Sequence, residues 1–111
     1  MSVATVCQCL DWIFANVPDG MEDVEIGFIG GEPFLEFELM KGAIEYVHSR
    51  SRPHKYVFYA TTNGTLLTPE IKRWCSDHRN EFVLALSLDG AKETHDHNRS
   101  GSFDRIDLDF F

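Results

Sequence analysis

Three short polar strings, each containing glycine and each following an apolar run, constrain this chain more than any other feature. They are Gly30-Gly31-Glu32-Pro33, Thr61-Thr62-Asn63-Gly64-Thr65 and Ser87-Leu88-Asp89-Gly90. Each comes just before helix-like sequence, which indicates three strand–turn–helix units. In parallel β/α folds the turns that follow the strands meet at one edge of the sheet, where small molecules bind. The sequence therefore predicts a small-molecule site built from these three turns.

The apolar runs predict strands over residues 24–29, 55–60 and 82–88. The third is almost continuously apolar, which is typical of a parallel strand buried on both faces. About 30 residues separate one strand from the next, a length that fits right-handed βαβ crossovers. The fold class is therefore α/β with a three-stranded parallel sheet. A piece of a β/α barrel and a small doubly wound sheet both fit this order.

Helices are predicted before and between the strands. The first follows a Ser2 cap, the second opens at Pro33, and the third begins after a Thr68 cap. Predicted buried positions are Leu35, Leu39, Ala43, Tyr46 and Val47 on the second helix, and Ile71, Trp74, Cys75 and His78 on the third. Residues 49–53 and the segment after Gly90 are predicted loops, and residues 102–111 a short final helix.

Length and charge narrow the possible functions. The 111 residues allow one domain, 1–111, and the net charge of −8 disfavours nucleic acid as a partner. No apolar run approaches the roughly 20 residues of a membrane span, so no membrane partner is expected. Three cysteines without a secretory signal indicate free thiols in a reducing compartment, which predicts a cytoplasmic protein.

The strings offer groups suited to a zwitterionic ligand. Gly30 and Gly31 leave the backbone open, so that a carbonyl can accept from an ammonium, and Glu32 adds negative charge there. Ser87 can donate to a carboxylate or a ribose oxygen, and Arg99 can clamp a carboxylate. Taken one at a time, the same strings are also explained as ordinary turns with a capping glutamate and a surface arginine.

Other chemistries are poorly supported. The alternating His95-Asp96-His97 has no third ligand nearby, so a solvated loop is favoured over a metal site. Ser87 is not flanked by the glycines of a hydrolase nucleophile turn, and no P-loop or G-x-G-x-x-G string occurs. A flavodoxin-like binding domain is disfavoured because an acidic residue occupies its phosphate-binding turn. No catalytic residue and no metal ligand is assigned.

As a set, the strings resemble the radical S-adenosylmethionine (radical SAM) superfamily, nearest its peptide- and protein-modifying branch, in which they are similar to anaerobic sulfatase maturases or to maturases of Cys-rich peptides. The resemblance runs over nearly the whole chain and implies part of a (β/α)6 barrel, with strands two to four present. It implies that Gly30, Gly31 and Glu32 hold the amino group of S-adenosylmethionine and that Ser87 and Arg99 contact the same cofactor. Thr62 and Asn63 lie in a string common at this position of the family.

The resemblance also implies a [4Fe-4S] cluster, held by a CxxxCxxC loop that would lie before Met1. That spacing is absent from the 111 residues, and reductive cleavage of S-adenosylmethionine needs three thiolates in one loop. The expectation is a fragment that keeps part of the cofactor pocket and is inactive alone, from an enzyme acting on a peptide or protein. The alternative is a non-catalytic module that binds a nucleotide-like ligand or pairs with a complementary fragment. Open sheet edges also predict self-association.

Overall fold

The computed structural model describes residues 1–21, 23–50 and 53–111, so the loop predicted over 49–53 lies partly outside the described residues. Its helices are α1 (Val3–Ala15), α2 (Phe37–His48), α3 (Pro69–Asp77) and α4 (Lys92–Asn98), and its strands β1 (Asp23–Phe28), β2 (Lys55–Thr62) and β3 (Phe82–Leu86). Single 3-10 turns cover Pro33–Glu36, Phe103–Arg105 and Leu108–Phe110. Within the described ranges, no helix combines the length and apolarity needed to cross a membrane.

The three strands form one parallel sheet in the order β1-β2-β3, which confirms the predicted α/β class. Asp23 pairs with Lys55, and Phe58 pairs with Phe82. All three strands therefore run in the same direction, and the turns that follow them lie at one edge. The predicted strand limits agree with the observed ones to within two residues.

The core lies between one face of the sheet and helices α1 to α3. From the sheet it contains Val24, Ile26, Phe58, Ala60 and Phe82; from the helices it contains Leu10, Phe14, Met40, Ala43, Ile44, Val47, Ile71 and Cys75. Burying this apolar surface is the main favourable contribution to folding. The caps were predicted correctly, since the side chains of Ser2 and Thr68 accept hydrogen bonds from the N–H groups of Thr5 and Ile71.

The prediction that the third strand is buried on both faces is wrong. Val83 is 55% exposed, and Ala85 on the same face is exposed as well. The three core helices bury their apolar residues against the opposite face only, where Phe82 is 3% exposed. An apolar run shows that a strand can be buried on both sides, but the packing of the helices decides whether it is.

The start of the second helix differs from the prediction. Pro33 opens a 3-10 turn, and the α-helix begins only at Phe37. Leu35 falls in this turn and is 72% exposed, so its predicted burial is wrong. Met40 and Ile44 are buried in its place, because the helical register starts after the turn.

The segment after Gly90 is helical rather than a loop, so His95, Asp96 and His97 lie on α4. The helix predicted over residues 102–111 is instead two 3-10 turns, separated by Ile106 in an extended conformation (φ −95°, ψ 127°). Aspartates favour such turns because their side chains compete for local backbone groups. Here the Asp96 carboxylate accepts the N–H of Phe103 at 2.9 Å.

Candidate functional site

A cavity of about 260 Å³ lies where the three strands end. It is lined by Phe28, Ile29, Gly30, Gly31, Tyr59, Thr61, Asn63, Ser87 and Arg99. Five of the seven residues that sequence analysis assigned to a cofactor therefore share one cavity. Glu32 and Thr62 do not line it.

The first turn leaves its backbone open. A Cβ atom built on Gly30 or Gly31 would meet no atom within 4 Å, and both residues are exposed. Because no side chain covers this stretch, a ligand can reach the peptide groups directly. The glycine pair is therefore suited to binding through the backbone.

The Glu32 carboxylate faces the second turn rather than the cavity. It accepts the hydroxyl of Thr62 at 2.5 Å and the backbone N–H of Asn63 at 2.9 Å, and a longer bond of 3.4 Å comes from the N–H of Phe34. These bonds join the end of β1 to the end of β2. Glu32 thus has a structural function in this arrangement, and the open backbone beside it remains available to a ligand.

Thr62 is fully buried, and its hydroxyl both donates to Glu32 and accepts the N–H of Gly64 at 3.1 Å. Its neighbour Thr61 lines the cavity in its place. Side chains alternate between the two faces of a strand, and Phe58 and Ala60 already occupy the helix-facing side. This alternation was the sequence signal that would have selected Thr61 and Tyr59, which sequence analysis missed.

Asn63 combines a turn role with a place at the cavity. Its side-chain oxygen accepts the N–H and the hydroxyl of Thr65, at 2.9 and 2.8 Å. Gly64 follows with a φ of +79°, a conformation that favours glycine. The Asn-Gly pair is therefore the turn that its sequence predicts.

Ser87 and Arg99 form the third side of the cavity. The guanidinium of Arg99 donates to the Asp89 carboxylate from Nε at 2.8 Å and from Nη2 at 3.3 Å. This neighbouring guanidinium holds the pKa of Asp89 below its usual value. The ion pair is therefore intact above the usual pKa of an aspartate and is lost as the pH falls through the lowered one. Two of the five N–H donors of Arg99 are used in this way.

A larger apolar groove of about 520 Å³ lies between α1, β1 and the turn before α2. Leu10, Ile26, Leu39 and Met40 are among the residues that line it. Gly30, Gly31 and Glu32 line this groove as well, whereas the polar side chains of Asn63, Ser87 and Arg99 line the smaller cavity and not the groove. A binding site needs a few convergent polar groups as well as space, so we assign the candidate site to the smaller cavity.

The cysteines do not fit an iron–sulfur cluster. Cys7 and Cys9 lie on α1, where Cys9 is exposed, whereas Cys75 is buried on α3. Burial raises the pKa of the Cys75 thiol to about 11, which disfavours the thiolate that a metal requires. In the part of the chain that the structure describes, no group of three or more His, Cys, Asp or Glu side chains could hold a metal ion.

The fold and the site together define an α/β protein with a cavity at the carboxyl ends of a parallel sheet. No protein-family model matches the chain. The chain is 33% identical over 92 residues to the cysteine-type anaerobic sulfatase-maturating enzyme of Clostridium novyi (strain NT), a match covering 77% of this chain and 24% of that enzyme. The corresponding enzyme of Clostridium perfringens (strain 13 / Type A) is 33% identical over 86 residues, covering 76% of this chain and 22% of the enzyme.

Solved structures give the same relationship. The structure described as native anSMEcpe with bound AdoMet superimposes with a TM-score of 0.79 at 25% identity, covering 95% of this chain and 29% of that one. A form with bound AdoMet and the Cp18Cys peptide gives the same TM-score and covers 30% of that chain. These matches confirm the resemblance to radical SAM sulfatase-maturating enzymes. The chain spans between a fifth and a third of the length of these relatives.

Proposed function

We propose that the cavity at the strand ends binds the amino-acid end of S-adenosylmethionine, in a radical SAM enzyme that modifies a peptide or protein. The observation that carries this proposal is the convergence of Gly30, Gly31, Asn63, Ser87 and Arg99 on one cavity. A methionine moiety has an ammonium and a carboxylate on one carbon. The backbone of Gly30 and Gly31 has carbonyl acceptors, and the side chains of Ser87 and Arg99 have donors.

Each group has a distinct part in this proposal. The open backbone at Gly30 and Gly31 accepts from the ammonium. Arg99 donates to the carboxylate, and Ser87 donates to the carboxylate or to a ribose oxygen. The volume of about 260 Å³ lies below the roughly 300–1,000 Å³ of pockets that enclose a whole drug-sized ligand. The cavity therefore suits one end of the cofactor, with the nucleoside reaching beyond it.

Cleavage of S-adenosylmethionine needs an iron–sulfur cluster in addition to the residues that line this cavity. We propose that β1 to β3 correspond to strands two to four of the family barrel. The [4Fe-4S] cluster supplies the electron that cleaves S-adenosylmethionine in such enzymes, and the three cysteines of this chain do not converge to hold it. We therefore expect the isolated chain to be inactive. A peptide substrate is supported by the peptide-bound form of the structural neighbour.

Titration calorimetry of the chain with S-adenosylmethionine tests the binding site. Ser87→Ala and Arg99→Ala should each weaken binding by about 1–3 kcal/mol, because each removes a donor from a charged or polar ligand atom. Arg73→Ala is the matched control, since Arg73 is an exposed arginine on α3 that does not line the cavity. Equal affinity in all three variants and the unmodified chain would refute the assignment.

Competition separates this proposal from a module that binds a nucleotide-like ligand. Free methionine in excess should displace S-adenosylmethionine, because it carries both groups that the cavity recognises. Adenosine alone should bind far more weakly. The reverse order would favour the nucleotide-binding alternative.

A further inference from the structure

One fully buried titratable side chain has no part in the proposed function. His95 lies on α4 and is 0% exposed. Its Nδ1 accepts the backbone N–H of Asp89 at 3.3 Å, and its Nε2 lies 3.1 Å from the hydroxyl of Ser102, which is itself buried. The ring of Phe103 packs edge-on against the imidazole, with centroids 5.7 Å apart.

These contacts determine where the imidazole carries its proton. A backbone N–H can only donate, so Nδ1 must be the acceptor for Asp89. In the neutral ring the proton then lies on Nε2, which donates to the oxygen of Ser102. The two ring nitrogens thus make bonds of different kinds in two directions.

The Nδ1 bond leads to the candidate site. Asp89 is the residue whose carboxylate holds the guanidinium of Arg99. The backbone N–H of Arg99 donates to the carbonyl of His95 at 2.8 Å. Both members of the ion pair are therefore attached to His95, Asp89 through the ring and Arg99 through the main chain.

The Nε2 bond leads away from the site. Ser102 begins the segment after α4, and this segment is also attached to the helix by the bond from the Phe103 N–H to Asp96. Because a second bond serves the same attachment, the contact with Ser102 acts mainly on stability. The contact with Asp89 is the one that bears on the direction of the Arg99 guanidinium.

We propose that His95, with its proton on Nε2, is a positioning residue for the cavity. By accepting the N–H of Asp89 it fixes the Asp89 carboxylate, which in turn holds the guanidinium of Arg99 at the cavity wall. A histidine that only fills the core would not need a particular nitrogen on the Asp89 side. The part of this proposal that concerns ligand affinity rests on the proposed function.

Two substitutions distinguish the effects of the hydrogen bonds made by the two ring nitrogens of His95. In His95→Asn the side-chain oxygen can take the place of Nδ1, whereas in His95→Gln the amide group can take the place of Nε2. In calorimetry with S-adenosylmethionine, His95→Asn should bind with an affinity within about threefold of the unmodified chain. The affinity of His95→Gln should be lower by about tenfold or more. Ser102→Ala is the control and should leave affinity unchanged. Affinities that follow thermal stability across the three variants would indicate a merely structural histidine and overturn the proposal.

A second readout needs no ligand. The Arg99 Nε–H signal in a ¹H–¹⁵N spectrum reports the bond to Asp89, so it should be protected from exchange in the unmodified chain, in His95→Asn and in Ser102→Ala. It should lose this protection in His95→Gln. Protection that survives in His95→Gln, or that is lost equally in both variants, overturns the proposal. If the unmodified chain binds no S-adenosylmethionine, the proposed function fails while this experiment still decides the role of His95.

Variants that do not fold leave a direct measurement on the unmodified chain. A long-range ¹H–¹⁵N spectrum of the histidine rings distinguishes a protonated Nδ1 from a protonated Nε2. The proposal requires the proton of His95 on Nε2 and an unprotonated Nδ1. A proton on Nδ1 would break the link to Asp89 and refute it.

Discussion

At the scale of single residues, Gly27 and Tyr59 show how the wall of the cavity depends on a missing side chain. The two residues are directly paired between β1 and β2. A Cβ atom at Gly27 would overlap the phenol ring of Tyr59, which lies across the first strand and lines the cavity. The absence of a side chain at Gly27 therefore leaves the space that the Tyr59 ring occupies.

Gly27→Ala should disturb this arrangement. The new methyl group pushes the end of the phenol ring aside, and because this ring is 37% exposed and can move towards solvent, the free energy of unfolding should fall by only about 1 kcal/mol. Gly42→Ala is the matched control, because a Cβ there meets nothing within 4 Å and the position lies inside α2. That variant should gain about 0.5–1 kcal/mol from helix propensity. Urea unfolding measures both values, and an equal gain in the two variants would contradict the described contact.

The types of residue at the site were predictable, but their orientation was only partly so. The glycine pair and Ser87 follow from the turns that end the strands, whereas Arg99, at the C-terminal end of α4, was predicted from the family resemblance. The string contains two adjacent hydroxyl residues, Thr61 and Thr62, and which of them faces the cavity depends on where β2 ends. The bond from Thr62 to Glu32 crosses thirty positions of sequence, and nothing local in the chain indicates it.

At the scale of elements, the segment after α4 folds back over the end of the sheet and over α3. Ile106 is 8% exposed and packs near Gly64. Lys72 on α3 donates to Asp107 at 2.7 Å, and its ammonium lies 5.8 Å from the centre of the Phe110 ring. This segment covers part of the sheet that the first three helices leave open.

Ile106→Ala should therefore destabilise the chain. Truncating a buried isoleucine leaves a cavity, and the expected loss is about 2–5 kcal/mol in the free energy of unfolding. Leu108→Ala, two residues along the same segment, should cost less than about 0.5 kcal/mol, since Leu108 is 43% exposed. Chemical denaturation of both variants is the measurement. A loss of similar size at the two positions would show that the segment is not anchored by Ile106.

The elements that were predicted well are those with local signals. Ser2 and Thr68 cap helices by bonds to residues three positions ahead, and such bonds depend only on nearby sequence. The burial of β3 on a single face depends on which face of the sheet the helices cover. The 3-10 turns after α4 depend on contacts such as that between Lys72 and Asp107, which are 35 positions apart in the chain. Periodicity alone carries no information about such contacts.

At the scale of the whole molecule, the sheet is open on one face and at its edges. Within the described ranges, β1 and β3 each pair with β2 alone. Val83 is 55% exposed, Tyr59 37% and Ile29 86%, and all three lie on or beside the face opposite the core. Unpaired edges and uncovered apolar residues favour association with other chains.

We therefore expect the isolated chain to self-associate. Light scattering after size-exclusion chromatography, over a series of concentrations, should show a mass that rises above that of a 12.7 kDa monomer. Val83→Lys places a charge on the open face and should shift the equilibrium towards the monomer. A monomeric mass at every concentration, with cooperative unfolding, would contradict this expectation and mean that the chain closes its own core.

The central claim is that the ends of the three strands form one binding site for S-adenosylmethionine. A ¹H–¹⁵N chemical-shift titration of the chain with this compound tests the claim most directly, because it reports every backbone amide at once. The account predicts the largest shifts at Asn63, Ser87 and Arg99, which line the cavity and not the groove, together with Gly30 and Gly31, which line both. It predicts little change at Cys9 and Leu39 in the apolar groove. An absence of shifts, or shifts that centre on the groove, would contradict it.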